Sequence, residues 1–377
     1  MSGCARRGEC AIIPQSLCGQ ERRAITANSW SRSDGKREAA VAGRQVVDPG
    51  AWHAGDLGDS EAWVYRLSEP EIADIHSAVA GVEQRGLDIK DIRRADFPLP
   101  VFGPALDQIH DELMNGRGFA QIGGLAVGDM TRARAAAAFW GIGTYLGEAI
   151  SQNAKGHVLG HVKDLGMDYD DPAARGYQTQ SMMNFHADQC DILGLGCLQP
   201  AKSGGESGIC SSVTLYNEML KRRPDLAAEL AWKFYWTRHG EIPPGQDPWY
   251  RQAVFSFHDG YFTARGVSSH IAKAQDLPGV PKFTPAQVEA MDMFKALARE
   301  LALHVQLDKG EMLFVMNHVT LHARTGFEDW PEPERKRHLL RLWLTTHGER
   351  PLPSEFAQQV VGIRVEGVES RAPLDAE

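Results

Sequence analysis

The sequence predicts an α+β protein in which a jelly roll of strands packs on a layer of helices. Segments with helical periodicity come first, at residues 69–85, 103–115 and 131–146. Apolar runs typical of strands come later, at residues 192–198 and 310–324. Helices before strands is the order expected of a jelly roll packed on a helical layer.

The length of the chain, 377 residues, would allow two domains, but a large jelly roll with helical insertions fits within one. We therefore expect a single domain over residues 46–377. Residues 1–45 are rich in Arg, Ser and Gly and lack a long apolar pattern, so they are predicted to be a disordered leader. An Arg-rich mitochondrial leader, or a start codon assigned too far upstream, would also explain them. The apolar run 10–14 is too short for a secretory signal, which needs roughly 7–15 apolar residues.

The composition argues against several classes of partner. The formal net charge is -9 and no basic patch or repeat is present, so nucleic acid is not expected as a partner. No pair among the 6 cysteines has C-x-x-C spacing, so neither a zinc knuckle nor a disulfide framework is predicted. We expect a cytoplasmic protein that acts on a small molecule and has no membrane partner.

The first half of the chain supplies the helical layer and one early strand. The helix at 69–85 opens after Ser68, and its apolar residues are spaced for one buried face. Residues 118–122 are predicted to be a strand that leads into the Gly123-Gly124 turn. The helix at 131–146 is Ala-rich and apolar enough to lie against a sheet.

The second half alternates strands with shorter helices. Residues 215–234 are predicted to be a helix interrupted at Arg223-Pro224, and residues 253–264 a hairpin. Thr284-Pro285-Ala286-Gln287 is a strong helix start, with Thr as the N-cap, Pro at the first helical position and Gln three residues after the cap. That helix should run to about Leu303.

One short motif places an imidazole and a carboxylate two residues apart. His186 and Asp188 lie between apolar segments, and in an extended strand this spacing puts both side chains on one face. A histidine and an aspartate on one face can hold a divalent metal, and a second histidine would complete a facial triad with open positions. His322 is the candidate, because the apolar strand before it runs into a polar corner.

Two arginines follow on a strand that is otherwise apolar. Arg337, Leu339 and Arg341 share one face of the run that begins after Lys336. Buried arginines need an anion, and the guanidinium fork suits a carboxylate.

From about residue 156 to residue 344, the chain resembles the taurine dioxygenase (TauD/TfdA) family of Fe(II)- and 2-oxoglutarate-dependent oxygenases, which share the clavaminate-synthase-like fold. The matching pieces occur in the family's order, and they are His186-Ala187-Asp188, Ser203-Gly204-Gly205-Glu206-Ser207, Asn317 to Arg324 with His322, and then Arg337 and Arg341. Any one of these motifs alone is weak evidence for the resemblance, but four motifs in the same order are strong evidence.

The resemblance implies an enzyme that uses Fe(II), 2-oxoglutarate and O2. His186, Asp188 and His322 would hold the iron, and the co-substrate would be converted to succinate and CO2 while a small organic, possibly anionic, substrate is hydroxylated. The carboxylate at Asp188 favours hydroxylation over halogenation, because the halogenating relatives leave that position vacant. Relatives are often dimers or tetramers, so a homo-oligomer is compatible with the resemblance.

The resemblance also assigns roles to residues around the metal. Arg337 and Ser207 would bind the distal carboxylate of 2-oxoglutarate. In the family, Thr is commoner than Ser at the position of Ser207. Arg341 would contact either the C1 carboxylate or an anionic group of the substrate. Asn317 and Arg324 flank the distal histidine and would orient His322 and its strand.

The segment before the first metal ligands, residues 148–180, contains further candidates for substrate contact. In the resembled family this approach segment often lines the substrate pocket and closes over it. His157 and His161 are the candidates here.

Two other functions remain open from the sequence. One is a metal enzyme on a cupin-like jelly roll that does not use 2-oxoglutarate, and the pair of arginines argues against it. The other is a catalytically silent binding protein of the same fold, and the intact set of three presumed ligands argues against that. Bound iron would discriminate further.

Overall fold

The computed structural model describes residues 29–57, 60–167, 176–238, 242, 245–363 and 365–377. Its helices in this part of the chain are α1 (Ala54–Leu57), α2 (Glu69–Gln84), α3 (Gly103–Asn115), α4 (Arg132–Gly143), α5 (Ser212–Arg222), α6 (Pro224–Glu229), α7 (Ser269–Ala274), α8 (Pro285–Glu300) and α9 (Ser354–Ala357). The strands are β1 (Val64–Arg66), β2 (Phe119–Gly123), β3 (Glu148–Ala149), β4 (Leu159–Lys163), β5 (Met183–His186), β6 (Ile192–Gln199), β7 (Ser203–Gly204), β8 (Ser207–Ser211), β9 (Lys233–Thr237), β10 (Trp249–Ala253), β11 (Phe255–His258), β12 (Tyr261–Ala264), β13 (Leu303–Val305), β14 (Met312–Met316), β15 (Thr320–Arg324), β16 (Phe327–Glu328) and β17 (His338–Thr345).

The long helices begin where local sequence dictates. At α2, the backbone N–H of Ser68 donates to Glu71 Oε2 at 2.8 Å, which completes a capping box. The same box opens α8, where the N–H of Gln287 donates to Thr284 Oγ1 at 3.1 Å. These contacts satisfy N–H groups that would have no partner inside the helix.

Two sheets form the jelly roll. The larger sheet has the strand order β1-β2-β14-β6-β17-β3, with β4 also paired to β17. The smaller sheet has the order β13-β8-β15-β5. The apolar cluster between the sheets contains residues from both, including Leu193, Leu313 and Leu339 from the larger and Ile209 and Val305 from the smaller. The predicted jelly-roll fold is therefore confirmed.

The opposite face of the larger sheet packs on the helices. Every residue of α4 from Ala135 to Gly143 is buried, and α4 contacts β6 and β17. Leu340, Leu342 and Leu344 of β17 belong to this second, larger core. The Ala-rich helix therefore lies against the sheet as the sequence predicts.

The hairpin predicted at 253–264 forms from β11 and β12. Phe255 pairs with Ala264, and the strands reverse at Asp259 and Gly260. Both turn residues have positive φ, 46° and 78°, which matches the right-handed twist of the strands.

The structure corrects one predicted helix. The sequence predicts helix as far as Phe234, but Phe234 lies in β9, which pairs with β10 across five residue pairs. The helical pattern ends at α6, and pairing with β10 decides the conformation of the residues that follow.

The start of the chain also differs from the prediction. Residues 1–28 of the predicted leader lie outside the described residues. Residues 29–45 contact the body: the N–H of Ser33 donates to Glu112 Oε2 at 2.9 Å, and Trp30 packs edge-on against Tyr65. The boundary predicted at residue 45 is therefore not where contacts with the folded body begin.

Among the described residues, no helix combines the length and the apolar character needed to cross a membrane.

Candidate active site

Two histidines meet across the β5–β15 ladder. The strands are antiparallel, and their register places His322 directly opposite His186. The centroids of the two imidazoles are 4.2 Å apart. His186 is the last residue of β5, and His322 is a buried residue in the middle of β15. Strand pairing thus brings together two side chains that are far apart in the sequence.

The sequence suggested that Asp188 lies in a strand. In the structure it lies just after β5, outside that strand. Its carboxylate nevertheless joins the histidines: Oδ1 is 3.7 Å from His186 Nε2, and Oδ2 is 3.8 Å from His322 Nε2. One potential ligand atom from each residue can be chosen so that all three lie within 4.8 Å of one another. The three predicted metal ligands therefore form one cluster.

Hydrogen bonds from three directions hold Asp188 in place. Its backbone N–H donates to Asn317 Oδ1 at 3.1 Å, and its carbonyl oxygen accepts from Arg265 Nη1 at 2.8 Å. Its carboxylate Oδ2 accepts from Trp343 Nε1 at 2.8 Å. Asn317 also donates to Cys190 Sγ at 3.0 Å, so its amide is fixed at both ends.

The protonation states suit a cation between these residues. His186 Nδ1 lies 2.8 Å from the carbonyl oxygen of Asn184, and because a carbonyl only accepts, Nδ1 donates this bond and Nε2 is the ring nitrogen near Asp188. Burial would raise the pKa of Asp188, but the charges of His322, Arg341 and His186 outweigh it and lower that pKa to about 2. Burial, reinforced by repulsion from His186, lowers the pKa of His322 to about 3.

This donor set fits a divalent transition metal. Two neutral imidazoles and one carboxylate are the ligands of the facial triad that holds non-haem Fe(II) and leaves coordination positions open. His322 Nδ1 is buried and has no hydrogen-bond partner among the described residues.

Arg337 is a buried cation that no described carboxylate pairs with. Its Nη2 donates to the carbonyl oxygen of Gly205 at 3.2 Å, and its buried Nη1 has no hydrogen-bond partner in the described part of the chain. Burial lowers the pKa of Arg337 to about 10, so the guanidinium remains charged at neutral pH. The residue is 4% exposed. An anionic ligand would supply the missing partner.

The turn between β7 and β8 makes room for that guanidinium. Gly205 has a φ of 72°, and a Cβ there would lie 2.9 Å from Arg337 Nε. Ser207, two residues further on, is buried and begins β8, where it pairs with Val305 and Arg324 on either side. Glycine at 205 and the start of β8 therefore bring Arg337 and Ser207 to the same turn.

Arg341 lies beside the three predicted metal ligands. Its Nη1 is 3.9 Å from Asp188 Oδ2, and its Nε donates to Gln152 Oε1 at 2.7 Å. Its guanidinium carbon is 4.6 Å from the ring centroid of Tyr177 and 5.1 Å from that of Trp343. Arg341 is thus fixed between two aromatic rings, with a carboxylate on one side and an amide on the other.

The two candidate histidines line the same small cavity as Arg341, but both are engaged. His157 Nε2 accepts from Arg371 Nη2 at 2.9 Å. His161 Nε2 donates to the carbonyl oxygen of Pro373 at 2.8 Å, and its Nδ1 therefore accepts from His338 Nε2 at 2.7 Å. Contacts with the last residues of the chain thus occupy nitrogens that were predicted to bind substrate.

Arg324 contacts the end of the segment that precedes β5. Its Nη2 donates to the carbonyl oxygens of Gly176, Thr179 and Ser181, at 3.3 Å and 2.8 Å for the first two. It therefore fastens the end of the approach segment to β15.

Sequence reasoning missed four residues near the cluster. Gln152, Arg265 and Trp343 make the hydrogen bonds described above, and Tyr177 stacks on Arg341. Trp343 carried a usable signal, because it continues the alternation of Arg337, Leu339 and Arg341 on one strand face. Gln152 and Tyr177 lie in the segment 148–180 that was expected to line the pocket, whereas Arg265 had no signal, because its partner is distant in sequence.

The sequence model of the family described as "Taurine catabolism dioxygenase TauD, TfdA family" matches residues 84–343, which is more than two thirds of the chain. The chain belongs to this family. Membership confirms the resemblance seen in the sequence, and with it the class of enzyme, a 2-oxoglutarate-dependent non-haem iron dioxygenase.

Two curated proteins are similar to this family member. FR-33289 synthase of Streptomyces rubellomurinus is 31% identical over 333 residues, which cover 86% of this chain and 96% of that protein. The taurine hydroxylase-like protein SAT17 of Stachybotrys chartarum is 29% identical and covers 79% of each chain.

Solved structures share the fold at lower identity. Asparagine oxygenase in complex with Fe(II), 2S,3S-3-hydroxyasparagine and succinate superposes with a TM-score of 0.59 at 17% identity, over 75% of this chain and 94% of that one. The non-haem iron oxygenase OrfP with Fe and alpha-ketoglutaric acid gives 0.58 at 16% identity, over 75% and 93%. These likenesses agree with the jelly roll described above.

Proposed function

We propose that this dioxygenase hydroxylates a small organic substrate at a centre in which His186, Asp188 and His322 hold Fe(II). The observation that carries the proposal is the convergence of two imidazoles and one carboxylate within 4.8 Å. With Fe(II) bound to activate it, O2 would be the oxidant: one oxygen atom would enter succinate as 2-oxoglutarate loses CO2, and the other would convert a C–H bond to an alcohol. The similar structures solved with iron and alpha-ketoglutaric acid support this choice of cofactors.

The metal ligands themselves supply geometry and charge. These three residues would hold the metal and would leave positions open for the co-substrate and oxygen. Asp188 is ionised at neutral pH because its pKa is about 2, so no proton has to leave before the metal binds. Trp343 and Asn317 orient its carboxylate and backbone, so the ligand is in place beforehand.

Arg337 and Ser207 are proposed to bind the distal carboxylate of 2-oxoglutarate. The support is the unpaired Nη1 of Arg337, in a buried position with a carbonyl as its hydrogen-bonded neighbour. A carboxylate there would receive charge-assisted hydrogen bonds and would compensate a cation that is costly to bury alone. This argues against the cupin-like alternative, which has no co-substrate carboxylate to offer.

Arg341 is proposed to contact an anionic group of the substrate or the C1 carboxylate of 2-oxoglutarate. Its place beside Asp188 supports a ligand close to the metal. The roles of His157 and His161 as substrate contacts stay predictions. To bind substrate, the two imidazoles would first have to break their hydrogen bonds to Arg371, His338 and Pro373.

The remaining proposals rest on the sequence. A net charge of -9 supports a small-molecule partner over nucleic acid. A cytoplasmic location and a homo-oligomeric state remain proposals to be tested by fractionation and by mass in solution.

The test is anaerobic addition of Fe(II), then 2-oxoglutarate, to the metal-free protein, with the visible spectrum recorded after each step. A weak charge-transfer band that requires both additions is expected in the wild type and is expected to be absent in His186→Ala. His304→Ala, at an exposed histidine outside the cluster, should retain it. Bound iron without the band would support the cupin-like alternative, and no bound iron would support the silent binding protein.

A further inference from the structure

We propose that Gln152 is a positioning residue that keeps Arg341 from pairing directly with Asp188, and so leaves that carboxylate free for the metal. The inference rests on the proposed metal centre and adds a residue that lies outside it. Gln152 precedes β4, well before any of the three proposed ligands.

The arrangement of Arg341 and Asp188 requires an explanation. Their side chains are only 10% and 12% exposed, yet the guanidinium Nη1 and the carboxylate Oδ2 are 3.9 Å apart. A buried arginine and carboxylate at this range normally close to a two-point pair with N–O distances of roughly 2.7–2.9 Å. Such a pair would occupy the oxygens with which Asp188 is proposed to bind the metal.

Gln152 binds the Arg341 guanidinium at its Nε edge, away from Asp188. Its Oε1 accepts from Arg341 Nε at 2.7 Å, and its Nε2 donates to the carbonyl oxygens of Arg341 and Val158 at 2.8 and 3.2 Å. The amide is 4% exposed and is therefore bonded at both ends inside the protein. Because Nε is engaged, the side-on approach through Nε and an Nη nitrogen is closed to Asp188.

A glycine gives the amide its space. Gly160 lies opposite Arg341 in the β4–β17 ladder, and a Cβ at this position would overlap Gln152 Oε1. Trp343 also helps to keep the two charged groups apart. Its uncharged indole Nε1 donates a hydrogen bond to Asp188 Oδ2, the oxygen nearest the arginine. The chain therefore builds a separation between the arginine and the carboxylate from three further residues.

Gln152→Met tests this role, because methionine has a similar length and no amide. We expect Arg341 to move onto Asp188 and to weaken metal binding by about 10–100-fold, the range typical of residues that orient metal ligands. Gln152→Met in an Arg341→Met background should cause no further loss, because the arginine that Gln152 restrains is gone. Gln180→Met is the matched control, since Gln180 donates to Asp164 on the neighbouring loop.

The experiment is a titration of metal-free protein with Co(II), followed through the visible absorption of the bound ion, with thermal unfolding recorded for each variant. Weaker binding in Gln152→Met, restored to the Arg341→Met value in the double variant, is the expected result. Wild-type affinity in Gln152→Met, or a loss that persists in the double variant, would overturn the inference and leave the metal centre standing. Failure of the wild type to bind Co(II) would overturn the proposed centre and the inference together.

Discussion

The two faces of strand β17 have the same backbone and opposite tasks. The inner face, together with Arg337 just before the strand, carries Leu339, Arg341 and Trp343, and its polar groups reach Gly205, Gln152 and Asp188. The outer face carries His338, Leu340, Leu342 and Leu344, and the three leucines pack in the helical core.

The difference shows how one strand can serve both function and stability. Alternation of side chains sends every second residue to the space between the sheets, where polar groups are paired with one another or await a ligand. The leucines in between bury apolar surface against the helices, and this burial stabilises the fold. Substitutions on the two faces should therefore be separable by experiment.

The largest effect is expected on the inner side, at the carboxylate that Trp343 orients. Asp188→Ala should lower turnover of 2-oxoglutarate by roughly 10³-fold or more, because even residues that only orient ligands are worth about 10–100-fold. The measurement is succinate formation together with bound iron after purification. Asp164→Ala, at another buried aspartate, should keep both, and turnover in Asp188→Ala would reject the proposed triad.

On the outer face, Leu342→Ala should lower the free energy of unfolding by about 2–5 kcal/mol. The side chain is 1% exposed and packs directly against Gly143 of α4, so its removal leaves a cavity. Chemical denaturation measures the change, with the exposed Val288→Ala as the control. A loss of 2-oxoglutarate affinity without a loss of stability would contradict the separation of the two faces.

Arg337→Leu should raise the 2-oxoglutarate requirement by about 10–150-fold, the equivalent of roughly 1.5–3 kcal/mol for a hydrogen bond to a charged group. Kinetics with 2-oxoglutarate varied at fixed substrate measures this change. Arg335→Leu, which removes an exposed guanidinium two residues earlier, is the control. If only the requirement for the main substrate rose, the roles of Arg337 and Arg341 would be exchanged.

Trp343→Phe should weaken metal binding by about tenfold, because it removes a hydrogen bond to the ionised carboxylate of Asp188, a kind of bond worth at least about 1.5 kcal/mol. The ring that flanks Arg341 is retained. Co(II) affinity is the measurement, and Trp232→Phe, at a tryptophan that is 70% exposed, is the control. An unchanged affinity would mean that the indole N–H does not hold the carboxylate for the metal.

The smallest effect concerns pH and the outer face. Burial, with repulsion from His161 and Lys163, lowers the pKa of His338 to about 3, whereas an unfolded histidine has a pKa of about 6.5. Between pH 3 and pH 6.5, His338 therefore binds a proton in the unfolded chain but not in the native protein. Proton binding to the unfolded chain lowers the free energy of unfolding as the pH falls below about 6.5, whereas above that pH the effect is absent.

Between pH 7 and 6 this loss amounts to about 0.7 kcal/mol. His338→Gln should reduce the decline in unfolding free energy over this interval by that amount. Unfolding curves at the two pH values provide the measurement. An equally steep decline in the variant would show that His338 is not the source.

Local sequence was sufficient where structure is determined within a few residues. The caps at Ser68 and Thr284 and the strand run at 192–198 needed no distant partner to be predicted. His186 and His322 could be paired in advance because each sits at a polar break in an apolar strand pattern.

Other features depend on contacts that spacing does not encode. Asp188 was expected in a strand, but it lies after β5, where bonds from Arg265, Asn317 and Trp343 set its orientation. Gln152 meets Arg341 across 189 positions of sequence, and no local pattern announces that pairing. Phe234 follows a helical pattern, yet strand pairing with β10 overrides it.

The most direct measurement compares the two faces in one assay, the dissociation constant of 2-oxoglutarate in the anaerobic Fe(II) protein, read from the visible charge-transfer band. Arg337→Leu on the inner side should bind the co-substrate about 10–150-fold more weakly, and Leu342→Ala should stay within about threefold of the wild type at temperatures where it is folded. Equal losses in the two variants, or wild-type affinity in Arg337→Leu, would contradict the proposed site.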